Sequence, residues 1–290
     1  MTRGELISEL AATLGARHEA RFIVEEVLGP PQGGGGAGVV SPVDVETVRA
    51  LAARRRAGEP LQYVLGHWAF RALDLLVDAR VLIPRPETEQ VVEVAKDEMA
   101  RAGIAPRTVV DAGTGSGAIA LSLATELAPR HPDASVWGTD TSPEALAVAR
   151  ANRDRVRAQH SGPVLPVAFV LGSWLSPLPP RLRGAVDLVV SNPPYVARRE
   201  WPDLPGEVRR EPVAALVACD STDGTPGLRD VEAVLTQSWT WLARPGVVVI
   251  ELAPHQADAA ALMARGMGYH DVRVAEDLAR RPRALVGRTR

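Results

Sequence analysis

The chain has 290 residues, 46% of them hydrophobic, enough to bury one large α/β domain or a large domain with a smaller companion. Its formal net charge of -2 exerts no overall pull toward nucleic acid, although arginine supplies all but one of the 33 basic residues. Cys219 is the single cysteine, which excludes a disulfide framework and a cysteine metal site and fits a reducing compartment.

Apolar residues recurring at steps of three and four predict helices over 2–14, 17–28 and 42–57, the last two ending at Gly29 and Gly58. Thr2 and Glu5 form a capping-box pattern, so the N-terminus reads as an amphipathic helix and not as a signal peptide. No apolar run is long enough to span a bilayer, and the expectation is a soluble, cytoplasmic protein with no membrane partner. The run "GGGG" at 33–36 lacks a preceding strand and a following Lys-Ser/Thr pair, so it reads as a surface insertion and not as a phosphate cradle. "HWAFRALDLLVD" alternates as a short hairpin, and "PRPETEQVVEVAKDEMARAG" opens a helix with proline and acids in its first turn. These signals predict a helical domain over 1–60, a β-hairpin linker over 61–84 and a larger domain over 85–290.

From Arg107 onward strands and helices alternate. "TVVDAG", "SVWGTD", "VAFVLG", "VDLVVSN" and "GVVVIEL" read as strands, separated by helical stretches at 117–128, 142–156 and 227–243. A helix near 255–266 and the strands "DVRVAE" and "RALVGR" complete the series, which predicts a doubly wound, largely parallel sheet.

Ligands of such a sheet bind at the carboxyl ends of its strands, and three motifs fall there. "DAGTGSG" places Gly113, Thr114, Gly115, Ser116 and Gly117 between the first strand and its helix, where backbone can pass close to a ligand beside free helical N–H groups. Its G-x-G-x-G spacing is one residue tighter than a dinucleotide fingerprint and suits S-adenosylmethionine, which has no pyrophosphate. Asp140 ends the second strand, where a carboxylate can accept both ribose hydroxyls; the alternative is a turn aspartate beside Ser142. Trp174 follows the third strand, placed either against adenine or as a core or rim tryptophan.

The fourth strand ends in Asn192, Pro193, Pro194 and Tyr195. Each residue before a proline is pushed out of the helical region, so the turn is stiff. The Asn192 side-chain oxygen and the Pro193 carbonyl can accept both hydrogens of a planar NH2, and Tyr195 offers a ring face to the group carrying it. This chemistry points to methylation of an amide or a nucleobase amino group.

The blocks "RRRAGEPLQYVLGHWAF", "VLIPRPETE", "VVDAGTGSGAIALSLA", "VSNPPYV", "EPVAAL" and "GYHDVRVAEDLA" resemble, in order, those of the HemK/PrmC protein-(glutamine-N5) methyltransferases. The resemblance implies a class-I, Rossmann-like fold with a seven-stranded, mostly parallel sheet, S-adenosylmethionine as methyl donor and S-adenosylhomocysteine as product. It implies methylation of the glutamine in the Gly-Gly-Gln motif of class-I peptide chain release factors by a cytoplasmic monomer, with no metal and no nucleic acid partner. Cofactor contacts carry over to Gly113 through Gly117, Asp140, Trp174 and Asn192, and glutamine contacts to Asn192, Pro193, Pro194 and Tyr195. Arg85 and Glu87, in "PRPETE", fall in the segment the family sets beside the active site, or are ordinary charges at a helix start. The chain departs from the family at Ser173, where relatives often carry an acid, and at "DLARRPR" over 277–283.

Overall fold

The computed structural model describes residues 1–31, 38–222 and 224–290, so the glycine run at 33–36 lies outside the described residues. Helix α1 (Arg3–Leu14) begins where Thr2 Oγ1 accepts the Glu5 N–H at 3.3 Å and the Glu5 carboxylate accepts the Thr2 N–H at 2.8 Å. Left-handed Gly15 ends it. Helices α2 (Arg17–Leu28) and α3 (Pro42–Arg56), the latter capped by Ser41, follow. Residues 61–65 form a short helix, α4 (Leu61–Leu65), where the sequence suggested the start of the hairpin; at five residues its period is too short to stand out from an apolar run. The apolar faces bury Leu6, Ile23, Val24 and Val48 completely.

These helices make up one compact unit, Met1–His67, which also takes in Pro205–Arg210. Arg55 of α3 explains the inclusion: it donates to Glu19 of α2 at 2.7 and 2.9 Å and to Glu207 at 2.9 Å. The stretch 205–210 was expected within the larger domain, and distant ion pairing of this kind leaves no trace in local sequence pattern.

The second unit comprises Trp68–Leu204 and Glu211–Arg290. A hairpin of β1 (His67–Phe70) and β2 (Leu73–Leu76) precedes α5 (Pro86–Arg101), β3 (Thr108–Ala112), α6 (Ala118–Leu127), β4 (Ser135–Asp140), α7 (Pro143–Gln159), β5 (Val167–Leu171) and β6 (Val186–Ser191). A short pair, β7 (Val196–Ala197) and β8 (Val217–Ala218), flanks α8 (Val213–Leu216). Then come α9 (Arg229–Trp241), β9 (Leu242–Glu251), α10 (Ala257–Gly266), β10 (His270–Glu276) and β11 (Pro282–Thr289).

Seven strands form one sheet in the order β10-β11-β9-β6-β3-β4-β5, in which β11 alone runs antiparallel to its neighbours. Successive side chains point to opposite faces, so Val109 of β3 joins the core under α5 to α7 while Val110 joins the core under α9 and α10. Leu188 and Val189 of β6 divide in the same way, and all four are fully buried. Burial on both faces is why these strands read as unbroken apolar runs. The hairpin is tied down by Asn152 of α7, whose amide accepts from Leu76 N at 2.7 Å and donates to Leu76 O at 3.0 Å and Ser116 O at 2.9 Å. Chain direction across the sheet reverses beside β3: β4 follows on one side and β6 returns on the other, which opens a crevice at the carboxyl ends.

Candidate active site

The crevice floor is set where β3 and β6 stop together, with Ser191 Oγ donating to Ala112 O at 2.6 Å. Beyond β3 the loop turns through left-handed Gly113, at φ +78°. A Cβ there would also meet the Trp174 ring at 3.1 Å, so backbone conformation and close approach both call for glycine. Asp111, fully buried beneath the loop, accepts from Thr114 Oγ1 at 2.6 Å and from Ala120 N at 3.0 Å, capping α6 from a distance. Burial pushes its carboxyl up to about 7, against the lowering effect of those two donors.

Asp140 ends β4 facing the loop. Its Oδ2 accepts from Gly115 N and its Oδ1 from Ser142 N, each at 2.9 Å, so the carboxylate is locked in place while each oxygen keeps a second lone pair. Ser142 itself caps α7 by accepting from Ala145 N at 3.0 Å. Asp140 therefore serves the turn and lines the crevice as well. Trp174, at φ +48°, lays its half-buried indole over Gly113.

Together these groups wall a cavity of about 360 Å³. Its lining includes the loop from Gly113 to Ser116, Asp140, Trp174, Asn192, Pro194, Arg85 and Thr88. Gly117 is set back from the cavity, against Leu121 and Phe169. Pro193 is buried behind the wall. Tyr195 also stands off the cavity: its hydroxyl donates to Glu251 at 3.3 Å and its carbonyl accepts from Gln256 Nε2 at 2.9 Å. Arg85 lines the rim and is paired with the buried Glu211, which also accepts from Ile83 N at 2.9 Å. Glu87 is half-buried, accepts from Arg281 at 3.2 Å, and its charge bears on the buried Glu251.

Two neighbours of the motif were not singled out from the sequence. Thr88, 4% exposed in the first turn of α5, accepts from Asn192 Nδ2 at 3.1 Å through its hydroxyl oxygen. That bond turns the amide so that Oδ1 is its free end. Glu251, 1% exposed, ends β9; burial pushes its carboxyl up to about 7, with Thr88, Arg283 and Tyr195 favouring the charged form. The Tyr195 phenol is raised far above its ordinary value, by burial first and by the Glu251 charge second. A carboxylate ending the apolar run "GVVVIEL" at the carboxyl edge was the available signal for Glu251, and the PRPETE motif contained Thr88.

The chemistry of this donor set fits S-adenosylmethionine. The glycine loop brings backbone without side chains to the cavity wall for the cofactor's polar tail, a fixed carboxylate matches a ribose diol, and an indole offers a stacking face for adenine. Asn192 also lines the cavity, with its Nδ2 engaged by Thr88 and its Oδ1 left as an acceptor.

Two family models match the chain: a PrmC N-terminal domain over residues 5–66 and a methyltransferase domain over residues 109–211. The release factor glutamine methyltransferase of Escherichia coli (strain K12) is 34% identical over 287 residues, covering 98% of this chain and 96% of that protein. The protein of the same name from Bordetella pertussis is 38% identical over 278 residues, covering 94% and 96%, and that from Vibrio cholerae 39% over 241 residues, covering 83% and 77%. Among solved structures, the N-terminal domain of human METTL16 in complex with SAH aligns with a TM-score of 0.51 at 15% identity, covering 98% of this chain and 94% of that one. A methyltransferase from Pyrococcus furiosus aligns with a TM-score of 0.51 at 16% identity, covering 83% and 96%. At those identities the two structures match in fold, a Rossmann-like class-I methyltransferase sheet.

Proposed function

The chain belongs to the family of release factor glutamine methyltransferases, and we infer that it methylates the side-chain amide nitrogen of the glutamine in the Gly-Gly-Gln motif of class-I peptide chain release factors. S-adenosylmethionine is the cofactor and, when bound, supplies a methyl group on a sulfonium centre. One observation carries the reading of the site: Asn192 is held by Thr88 so that its carbonyl oxygen, an acceptor, is the end left for a ligand.

An amide NH2 is a poor nucleophile because its lone pair is delocalised. Acceptors on its two hydrogens return electron density to nitrogen and fix the direction in which it points, so positioning and electrostatics supply most of the acceleration. Asn192, which lines the cavity, supplies one acceptor through Oδ1; the carbonyl of Pro193, whose residue is buried beside it, would supply the second, on a backbone that consecutive prolines hold rigid. No strong base is needed beforehand. A bound S-adenosylmethionine would supply the methyl group, and the methylated nitrogen, cationic and acidic, would lose its proton to water or a nearby acceptor. Gly113 to Ser116, Asp140, Trp174 and Asn192 line the pocket that holds the cofactor, with Gly117 behind them supporting the turn; Pro194 lines the glutamine side, and Tyr195 stands behind it, held by its bond to Glu251. Arg85, paired with Glu211, lines the cavity on the side the glutamine would cross, and Glu87, paired with Arg281, also lies close enough to Glu251 for its charge to disfavour a second carboxylate there.

The helical unit docks the release factor, and the monomeric enzyme works in the cytoplasm on protein, not nucleic acid. The family model over residues 5–66 supports this assignment of the helices. The test supplies the protein and labelled S-adenosylmethionine with a release factor and with that factor's Gln-to-Ala variant. Label is expected on the first alone; label on both, or on DNA and neither protein, overturns the assignment.

A further inference from the structure

We propose that Asp230 makes the cavity prefer the charged methyl donor to the uncharged product: its carboxylate, without a partner in the protein, supplies negative charge for the sulfonium that S-adenosylhomocysteine lacks. The proposal rests on the S-adenosylmethionine reading above and deepens it, and its test needs no release factor.

Four side chains of formal charge line the cavity: Arg80, Arg85, Asp140 and Asp230. Both cations are already answered, Arg80 by Asp78 at 2.6 Å and Arg85 by the buried Glu211. Asp140 holds two backbone N–H groups. Asp230 differs from all three, because no hydrogen bond or ion pair reaches its half-buried carboxylate among the described residues. An acid in the first turn of a helix is favoured by the helix dipole alone, but Glu232 of the same turn has found the Thr222 N–H at 2.9 Å, and Asp230 faces the cavity instead. Burial raises the Asp230 carboxyl, and the charge of the exposed Arg229 opposes the rise. A cation bound in the cavity would favour the charged form further.

Helix α9 fixes where this charge stands. Gln256 Nε2 donates to Tyr195 O at 2.9 Å and to Pro226 O at 3.2 Å, which fastens the start of α9 to the Asn-Pro-Pro-Tyr turn. Further along the helix, Gln237 accepts from Leu175 N at 2.9 Å, which fastens it to the loop carrying Trp174. Leu228 and Val231 bury themselves in the core beneath, so Asp230 is held on the cavity side. S-adenosylmethionine carries an ammonium, a carboxylate and a sulfonium, one net positive charge; its product has lost the sulfonium and is neutral overall. With both arginines paired, the uncompensated charge on the cavity wall is negative, and in a partly buried site it is screened less than in water. Asp230 therefore holds the donor more tightly than the product, and the loss of that attraction after transfer favours product departure.

Calorimetry on wild type, Asp230→Asn and Asp230→Glu tests this with three ligands: S-adenosylmethionine, S-adenosylhomocysteine, and an analogue in which a charged amine replaces the methylsulfonium. Asp230→Asn is expected to weaken binding of the two charged ligands by about 10-fold, the size of one charge pair several ångströms apart at partial burial, and to leave S-adenosylhomocysteine within about twofold. Asp230→Glu keeps the charge and should keep most of the preference. Unchanged affinity of Asp230→Asn for all three ligands overturns the proposal. Equal weakening of all three overturns it too, because Asp230 would then serve a group the ligands share or the cavity's shape. Asp230→Glu behaving as Asp230→Asn would also overturn it, since charge would not be the cause. Should Asp230→Asn fail to fold, Asp230→Ser takes its place under the same criteria. A wild type that binds none of the three overturns the cofactor reading itself, whereas one that binds them and labels no release factor overturns the substrate assignment and leaves the charge preference standing.

Discussion

Asp111 shows how far a single residue's role lies beyond its motif. From the sequence it is the acid before a glycine loop; in the fold it is fully buried, donor-bonded on Oδ2 and without a partner on Oδ1 among the described residues. Burial pushes its carboxyl up to about 7, above an unfolded value of roughly 4. The folded state therefore holds the proton more tightly, and its contribution to stability is greatest below the unfolded value and is lost as pH rises through 7. Asp111→Asn keeps an acceptor for Thr114 and Ala120 and cannot ionise. Urea unfolding from pH 5 to 8 should show wild-type stability declining relative to the variant; parallel curves would place the charged form in a better-solvated site than the fold describes. The residues that chain-local chemistry marks, Gly113, Asp140, Trp174 and Asn192, were legible because turn, edge and amide chemistry are written in adjacent letters. Thr88 and Glu251 were not, because their importance comes from register between strands and from a helix start brought in from over a hundred residues away in sequence, as the 104-residue separation of Thr88 and Asn192 shows.

At the scale of elements, alternation of strand and helix was readable because two-sided burial writes β3, β6 and β9 as apolar runs between amphipathic helices. What fastens α5 to the far edge of the sheet was not readable. Glu98 of α5, 2% exposed, receives Arg101 at 3.0 Å and Arg288 of β11 at 2.8 Å, and pairs also with Arg273 of β10. Burial raises the Glu98 carboxyl, but Arg273 and Arg288 outweigh it and hold it below the usual carboxylate value. Removing the acid would leave guanidinium groups facing one another around an emptied charge site. Partial exposure of the three arginines softens the penalty, so Glu98→Gln is expected to cost about 2 kcal/mol in urea unfolding, below the 3 to 5 typical of a fully buried pair. A loss under about 0.5 kcal/mol would mean that strand pairing alone holds that edge.

For the whole molecule, the division of labour between the two units makes a prediction that needs no assumption about their arrangement. Every residue lining the cavity belongs to the unit built on the seven-stranded sheet, and none to the unit of α1 through α4 with Pro205–Arg210. Each unit has its own buried cluster, Leu6 through Val64 in one and the two faces of the sheet in the other. A ligand that binds only the folded form of one unit stabilises that unit by mass action, about 2.7 kcal/mol at a hundred times its dissociation constant. S-adenosylhomocysteine at that excess should therefore slow amide hydrogen exchange at the ends of β3, β4 and β6 and in the first turn of α6, where Ala120 N–H is held by Asp111. Amides in α1, α2 and α3 should exchange at unchanged rates, because nothing in their core touches the cavity. Equal protection of α1 through α3 would show that the helical unit opens only together with the sheet, and the docking role assigned to it would then have to include a share in holding the cofactor.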